Sequence, residues 1–289
     1  MTAPDTAPTS TPRIGIVGGT GVELPGEGDN TRNAFAESIV PTPFGDARVF
    51  LGEPDGPYAD VVFLSRHGAN HDIPPHRVNY RANIFALHAL GVRDVLASFA
   101  VGSIAEHIPP GGAVAIDQVI DFTHGREQTF FDGGERGLFH VPFTEPFSRA
   151  LRGQLIDLAP RFGLDLIPSG TYVCFNGPRF ETAAEIRMFG QLGADVVGMT
   201  AMPEAVLARE IGLRYAGVAV SVNWAAGVRG ALVLDMHALD GIRGRLFPLF
   251  LETLRTVGTS VHHDTDLVER HDAFSTRPEI ASTSSDSGE

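Results

Sequence analysis

The chain has no lysine, because all 22 basic residues among its 289 are arginine. Schiff-base catalysis and attachment of pyridoxal phosphate both need a lysine amine, and so does the phosphate-binding loop of P-loop enzymes. All three chemistries are therefore excluded. Cysteine is nearly absent as well, since Cys174 has no second cysteine with which to form a disulfide. Its apolar neighbours in the segment TYVCF indicate a buried strand residue rather than a nucleophile.

Long apolar runs and a net positive charge are also missing. No segment approaches the roughly 18 to 20 apolar residues that a membrane span requires. The net charge of -13 argues against general affinity for DNA, RNA or an anionic membrane, so any bound anion must be attracted by a local site. The amino-terminal segment MTAPDTAPTSTP lacks the basic start and apolar centre of a secretory signal, and we therefore expect a cytoplasmic protein.

Length and composition fit one large globular domain. Hydrophobic residues make up 43% of the chain and charged residues 20%, as in ordinary globular proteins. Residues 1–12 and 264–289 are polar, rich in Ser, Thr or Pro, and lack a hydrophobic pattern, so we expect mobile extensions there. The folded domain is predicted at 13–263.

Short apolar segments alternate with segments of helical spacing within this domain. Strands are predicted to begin at Ile14, Val61, Asp94, Ala113, Thr171, Asp195 and Tyr215. Helices are predicted at 78–90, 147–162, 181–192, 203–211 and 242–257, and Gly- and Pro-rich loops at 23–30 and 124–137. The alternation predicts a single α/β domain with a mixed central β-sheet flanked by helices.

The first candidate motif is Gly-Gly-Thr-Gly at 18–21, directly after the first predicted strand. Glycines allow backbone amides to close around an anion, and the hydroxyl of Thr20 is a further donor. A dinucleotide-binding fingerprint would need a helix here, and Pro25 prevents one. A simple turn from strand to loop explains this string equally well.

Arg66 and His67 form the second motif, at the end of the strand VVFL. A guanidinium beside an imidazole suits two oxygens of a phosphate, although an Arg-His pair taken alone is more often a solvated surface pair. A metal site using His67, His71 and His76 is the alternative. No glutamate follows His67, and Gly68 disrupts the helix that such a pair of zinc ligands needs, so we expect no metal.

Polar residues also follow the ends of three later strands, at 176–181, 198–204 and 221–224. Ligands of open α/β sheets bind at the carboxyl ends of strands, so these segments are candidates for one shared site. Taken singly, each fits an ordinary cap or turn.

Together these strings resemble the trimeric purine nucleoside phosphorylases, in particular the branch that includes methylthioadenosine phosphorylase. The resemblance rests on GGTG at 18–21, TPFG at 42–45, RHG at 66–68, VNYRANI at 78–84, GSI at 102–104, IDQVID at 116–121, FNGPRFET at 175–182, GADVVGMTAMPEAVLARE at 193–210 and SVN at 221–223. The ordered strings cover nearly the whole expected domain. The nucleoside phosphorylase fold is what they imply.

The resemblance implies a site for inorganic phosphate, a co-substrate in this family, with no metal or organic cofactor. Its ligands would be Thr20, Arg66, His67, the backbone amide of Ala100 and the hydroxyl of Thr200. Relatives have threonine or asparagine where this chain has Phe99, so one side-chain donor is missing. Met199 would pack against the ribose, Phe180 against the base, and His140 would reach the sugar site of a neighbouring subunit. A homotrimer is therefore expected.

The base pocket distinguishes two substrate classes within the family. Methylthioadenosine phosphorylases have Asp-x-Asp where this chain has Asn223, Trp224 and Ala225, and serine where it has Glu181, whereas 6-oxopurine phosphorylases have Glu and Asn. The chemistry agrees, because N1–H of hypoxanthine or guanine donates to a carboxylate, whereas N1 of adenine is itself an acceptor. Inosine and guanosine are thus the expected substrates, with Asn223, Glu181 and His67 in the catalytic roles.

The 5' end of the sugar leaves alternatives open. His237 lies fourteen positions after Asn223, the spacing at which 6-oxopurine phosphorylases have a histidine that bonds the 5'-hydroxyl. A histidine in such a segment is also often a partly buried surface residue. Phosphorolysis of methylthioinosine or methylthioadenosine is therefore an alternative. A non-catalytic nucleotide-binding protein on the same scaffold is another, which Phe99 would permit.

Overall fold

The computed structural model describes residues 13–19, 22, 24, 34–68, 71–230, 236–242 and 244–259. The expected extensions at 1–12 and 264–289 lie outside these residues, as do 260–263 of the predicted domain and most of the predicted loop at 23–30. Within the described residues no helix is long and apolar enough to cross a membrane.

The described residues form one eleven-stranded sheet and five α-helices. The strands are β1 (Arg13–Gly18), β2 (Phe35–Val40), β3 (Ala47–Gly52), β4 (Val61–Ser65), β5 (Val92–Ser103), β6 (Ala113–Ala115), β7 (Gln118–Phe122), β8 (Leu166–Ile167), β9 (Thr171–Phe175), β10 (Val196–Gly198) and β11 (Arg214–Trp224). The helices are α1 (Tyr80–Ala89), α2 (Arg149–Leu158), α3 (Ala183–Gln191), α4 (Ala201–Glu210) and α5 (Leu246–Thr259). Single 3₁₀ turns are formed by Pro75–Arg77, Gly134–Arg136, Ala159–Phe162 and Met236–Leu239.

Side-chain caps fix where helices begin. Asn79 accepts a hydrogen bond from the backbone of Ala82 at 3.1 Å before α1. Thr182 and Glu185 form a capping box before α3, in which each side chain accepts from the other residue's backbone N–H. Such caps satisfy N–H groups that have no partner inside the helix. The cap on α3 also fixes where the preceding turn ends.

The sheet is mixed, and β5 is its central strand. The strand order is β2-β3-β4-β1-β5-β10-β9-β7, and β11 adds to β5 with β6 and β8 beyond it. β4, β1, β5 and β11 run parallel to their neighbours in this group, whereas β10 runs antiparallel to β5. The carboxyl ends of several strands therefore meet near the middle of β5.

Helices cover both faces of the sheet. Along β4, Val62 and Leu64 pack in one buried cluster with α1 and α4, while Val61 and Phe63 pack in another with α2 and α5. Strands that are buried on both faces have continuous apolar sequences, which is why their positions were predictable.

The predicted α/β class and the mixed sheet are confirmed, and each predicted strand and helix occurs within a few residues of its expected bounds. Four strands, β2, β3, β7 and β8, were not predicted. β2 and β7 lie at the sheet edges and bury few of their side chains, so their sequences lack a strong apolar pattern. The predicted loop at 124–137 contains only the turn Gly134–Arg136.

Candidate active site

A cavity of about 280 Å³ opens beside the middle of β5. Eight of the residues predicted for the site line it: Arg66, His67, Ala100, Phe180, Glu181, Met199, Thr200 and Asn223. The rest of the lining consists of Gly19, Pro75, Val101, Gly102, Pro178, Val197, Gly198 and Val222. The eight predicted residues come from five separate segments of the chain and are thus brought to one place.

The cavity lies where β5 changes its neighbour on one edge. β1 pairs with β5 as far as Ala97, and β10 pairs with it only from Gly102 onward, so the segment between them faces neither strand. The carbonyl of Ser98 points to this edge, where it accepts a hydrogen bond from Arg66 at 2.9 Å. Residues two apart in a strand direct their backbone groups to the same edge. The amide of Ala100 therefore faces the cavity side.

Arg66 is held by Glu204, an acidic residue in the first turn of α4. Nε and Nη2 of Arg66 donate to the two carboxylate oxygens at 2.8 and 2.7 Å, and both side chains are 1% exposed. The hydroxyl of Tyr215 donates to the same carboxylate. Burial opposes the charge of Arg66, but Glu204 outweighs it and raises the pKa of Arg66. The guanidinium is thus a permanently charged and oriented group.

Two N–H groups of Arg66 are left for a ligand. A guanidinium has five N–H donors; Glu204 takes two, and Nη1 gives one to the carbonyl of Ser98. One N–H on each terminal nitrogen therefore remains. Gly19 packs so close that a Cβ there would lie 2.6 Å from Nη1, so only glycine fits. Its backbone N–H donates to the hydroxyl of Ser98 at 3.1 Å.

Phe99 does not line the cavity. Its ring is 1% exposed, and Cζ of Arg66 lies 4.9 Å from its centroid. It also makes an edge-to-face contact with Tyr172 at 5.4 Å. Phe99 therefore packs the face of its ring against the guanidinium of Arg66, which is a cation–π arrangement.

His67 is fixed by a loop that returns to it. Its Nδ1 lies 2.9 Å from the carbonyl oxygen of Ile73, and the N–H of Ile73 donates to the carbonyl of His67 at 3.0 Å. A carbonyl only accepts, so Nδ1 carries a proton and Nε2 is the nitrogen that can bond a ligand. Burial, followed by the nearby charge of Arg66, lowers the pKa of His67. The ring is accordingly neutral at pH 7.

Met199 and Thr200 follow β10 and also line the cavity. The backbone N–H of Thr200 donates to the hydroxyl of Tyr172 at 3.2 Å. Gly177, in the turn after β9, lies against Met199, since a Cβ at Gly177 would be 2.5 Å from the Met199 sulfur. The turns after β9 and β10 are therefore in direct contact.

Glu181 ends the turn after β9, and only 8% of its surface is exposed. Burial, and to a lesser extent the charge of Glu185, raises the pKa of Glu181. Phe180, next to it, keeps 44% of its surface exposed at the cavity wall. A buried carboxylate favours a ligand able to donate a proton or a hydrogen bond.

A bulge in β11 presents Val222 and Asn223 to the same cavity. The pairing with β5 shifts between Ser221 and Asn223, so that Val222 is an extra residue. In a regular strand, consecutive side chains point to opposite faces, and a bulge changes this direction. Nδ2 of Asn223 donates to the carbonyl of Trp224 at 2.8 Å, which orients the amide and leaves its oxygen and a second N–H for a ligand.

Several predicted site residues lie away from the cavity in the described structure. The side chain of Trp224 packs under Arg229 at 4.8 Å, and Ala225 is buried in a separate apolar cluster. His140 is exposed. His237 has 92% of its side chain exposed, and Nδ1 is 3.1 Å from a carboxylate oxygen of Asp240. Thr20 lies outside the described residues.

No group of three or more His, Cys, Asp or Glu side chains suited to a metal occurs in the part of the chain that the structure describes. The cavity's chemistry is that of a buried arginine and a half-buried histidine near β5 and of a carboxylate and an amide farther along the wall. Such a set suits an anion at one end and a hydrogen-bonding ring at the other.

The fold and the cavity define an α/β protein whose ligand site lies at the ends of parallel strands. The chain matches the Phosphorylase superfamily over residues 13–240 and belongs to that family. It is 51% identical over 235 residues to the 6-oxopurine nucleoside phosphorylase of Pyrococcus furiosus, covering 79% of this chain and 86% of that protein. It is 46% identical over 215 residues to the S-methyl-5'-thioadenosine phosphorylase of the same organism, covering 74% and 79%.

A solved structure gives the same relationship. The methylthioadenosine phosphorylase from Schistosoma mansoni, in complex with adenine, matches with a TM-score of 0.76 and 33% identity. The match covers 86% of this chain and 92% of that one. The expected family and fold are thereby confirmed.

Proposed function

We propose that this protein is a purine nucleoside phosphorylase that cleaves inosine and guanosine with inorganic phosphate. The observation that carries the proposal is the cavity itself, which places Arg66 and His67 in one space with Glu181 and Asn223. The first pair suits a phosphate, and the second suits the hydrogen-bonding edge of a 6-oxopurine. The relative named as a 6-oxopurine nucleoside phosphorylase supports the same conclusion.

Phosphate would bind at the Arg66 end of the cavity. The two remaining N–H groups of Arg66, Nε2 of His67, the amide of Ala100 and the hydroxyl of Thr200 would surround it. A neutral His67 accepts at Nε2, so it suits the P–OH of monohydrogen phosphate. Thr20 stays a prediction for this site.

The base would lie against Glu181 and Asn223. An ionised Glu181 accepts from N1–H of hypoxanthine or guanine, and the second N–H of Asn223 donates to O6 or N7. Adenine has no N1–H, so two acceptors would be opposed. Each unmatched buried polar group costs about 1 to 3 kcal/mol, and sites built on such bonds discriminate strongly. Phe180 would pack against the ring and Met199 against the ribose.

In the reaction, the bond between the anomeric carbon and N9 breaks, and its electron pair goes to the base. A phosphate oxygen forms the new bond from the opposite face, which gives ribose 1-phosphate. The base ends with the proton that monohydrogen phosphate loses. Asn223 and Glu181 would stabilise the electron-rich leaving base while Arg66 positions the phosphate, so catalysis is electrostatic and positional. No metal or organic cofactor enters this scheme.

The alternatives differ at the 5' end of the sugar and in catalysis. Methylthioinosine or methylthioadenosine would be preferred if the 5' pocket is apolar, and the roles of His237 and His140 there stay predictions. The homotrimer and the cytoplasmic location are likewise predictions. A nucleotide-binding protein without turnover is the remaining alternative.

The decisive test is the dependence of base release on phosphate. Purified protein is incubated with inosine in phosphate-free buffer and again with phosphate, and the sugar product is identified. We expect hypoxanthine and ribose 1-phosphate only when phosphate is present. Release of free ribose without phosphate would indicate a hydrolase, and binding without release would indicate a non-catalytic protein.

A further inference from the structure

Arg126 lies in the irregular segment between β7 and α2 and does not line the cavity. It nevertheless forms hydrogen bonds with the turns after β9 and β10, which do line it. Nη2 donates to the carbonyls of Asn176 and Met199 at 2.9 and 2.8 Å. Nε donates to the side-chain oxygen of Asn176 at 3.2 Å. Nη1 donates to the carbonyl of Met202 and, at 3.2 Å, to the hydroxyl of Tyr80.

Every N–H of this guanidinium is therefore used. Five donors meet five acceptor atoms, which contrasts with Arg66, where two N–H groups remain for a ligand. Arg126 has no donor left for an anion. Arg126 therefore does not bind a ligand itself. It connects the two turns, after β9 and after β10, whose residues line the cavity.

The two connected turns serve different ends of the cavity. The turn after β9 begins at Asn176 and leads to Glu181, which would face the base. The turn after β10 contains Met199 and Thr200, which would face the ribose and phosphate. Since the turns touch at Gly177 and Met199, a shift in either one changes the separation between the two halves of the site.

We propose that Arg126 is a positioning residue that sets the distance between the base-binding turn and the ribose- and phosphate-binding turn. The inference rests on the proposed phosphorolysis, in which the phosphate oxygen must lie in line with the breaking bond. Displacement of reacting groups by about 1 Å, caused by a change away from the chemistry, can reduce a rate roughly 100-fold. A lysine cannot replace this arginine, because its ammonium has only three donors and no planar fork.

The test uses Arg126→Lys and Arg126→Gln, with Arg255→Lys and Arg255→Gln as matched controls. Arg255 on α5 is also partly buried and makes three hydrogen bonds, to Asp60 and to the carbonyl of Pro57, but it does not line the cavity. The measurements are kcat and KM for inosine and phosphate, and the stoichiometry of hypoxanthine binding by calorimetry, which reports the folded fraction.

We expect both Arg126 variants to lose roughly 100-fold in kcat per folded site, with KM for each substrate changed by less than about threefold. The Arg255 variants are expected to keep kcat and lose only thermal stability. A third variant, Arg126→Ala, tests chemical rescue. Added guanidinium ion is expected to restore part of its activity and none of that of Arg126→Lys, where the lysine side chain occupies the space.

The inference is overturned if Arg126→Lys keeps the kcat of the unaltered protein. It is also overturned if the loss of kcat equals the loss of binding stoichiometry, or if the Arg255 variants lose as much. Absence of phosphate-dependent base release from the unaltered protein is a separate outcome. That outcome would contradict the proposed function, and the inference would fail with it.

Discussion

Arg66 and Glu204 form a two-point ion pair with N–O distances of 2.8 and 2.7 Å, although 138 residues separate them in the chain. Both side chains are 1% exposed. Burial of one such charge without the other costs several kcal/mol, so the two groups are stable here only together. Glu204 also uses two of the guanidinium donors, which determines the direction of the other N–H groups.

Glu204→Gln is expected to destabilise the protein by about 3 to 5 kcal/mol, because the buried guanidinium loses its counter-charge. The KM for phosphate is expected to rise as well, because the glutamine amide offers only one oxygen acceptor and no longer holds the Arg66 guanidinium by two hydrogen bonds. Thermal unfolding and phosphate kinetics measure the two effects. Glu37→Gln is the control, because Glu37 pairs with Arg48 at the exposed surface, where ion pairs contribute roughly 0 to 1 kcal/mol. An unchanged melting temperature in Glu204→Gln would contradict this interpretation.

Burial raises the pKa of Glu181, which predicts a pH effect on base binding. The carboxylate accepts from N1–H only when it is ionised, so kcat/KM for inosine should fall as the pH decreases through this raised pKa. Glu181→Gln should lose this acidic limb and discriminate less between inosine and adenosine. An acidic limb that persists in Glu181→Gln would assign it to another group.

The same shift predicts the effect of Glu181→Gln on stability. A folded-state pKa above the unfolded value means that folding favours the protonated carboxyl, so the ionised form opposes folding at neutral pH. Glutamine removes this cost. We therefore expect the melting temperature of Glu181→Gln at pH 7.5 to equal or exceed that of the unaltered protein, and a clear decrease would show that the carboxylate stabilises the fold.

The ring of Phe99 is expected to act on phosphate through Arg66. Phe99→Leu keeps an apolar side chain but removes the cation–π contact, which contributes about 0.5 to 2 kcal/mol, so KM for phosphate should rise up to roughly 30-fold. Phe99→Thr restores the residue type of relatives, but the Phe99 side chain is not part of the cavity lining. It should therefore not tighten phosphate. A lower KM in Phe99→Thr would show that the side chain reaches the ligand.

His67 should make stability depend on pH. Its folded-state pKa is lowered, so the unfolded chain binds the proton first as pH falls below the ordinary value of about 6.5, and stability decreases there. His67→Asn keeps a donor for the carbonyl of Ile73 but does not titrate. The melting temperatures of the two proteins in phosphate-free buffer should therefore converge from pH 7.5 to pH 5.5. A constant difference over this range would indicate that His67 does not titrate between the two states.

The sequence predicted the interior strands and the residues that directly follow them. Arg66, His67, Thr200 and Asn223 are adjacent to strand ends, and the carboxyl ends of parallel strands collect ligands, so their proximity followed from chain order. Their expected family roles came from the resemblance. A strand is recognised from the local sequence pattern, so the residues beside its end are recognised with it.

The contacts that hold these residues were not predictable from pattern. Glu204 reads as an ordinary acid in the first turn of a helix, and Arg126 as a charged residue in a loop. Each acquires its role only when distant segments pack together. The bulge at Val222 is a shift in pairing between two strands, which neither strand's sequence reveals. The role of His237 stays a prediction, because its spacing suggests a bond to the sugar while its side chain is 92% exposed in the described structure.

The most direct test of the proposed function compares kcat/KM for inosine, guanosine, methylthioinosine, adenosine and methylthioadenosine at one phosphate concentration. Adenosine would leave the polar groups of Glu181 and Asn223 unmatched, at a cost of about 1 kcal/mol or more each. We therefore expect kcat/KM for inosine and guanosine to exceed that for adenosine by at least about 30-fold. If methylthioinosine leads, the base pocket is correctly assigned and the 5' pocket is not. If adenosine or methylthioadenosine is cleaved as well as inosine, the roles given to Glu181 and Asn223 are contradicted.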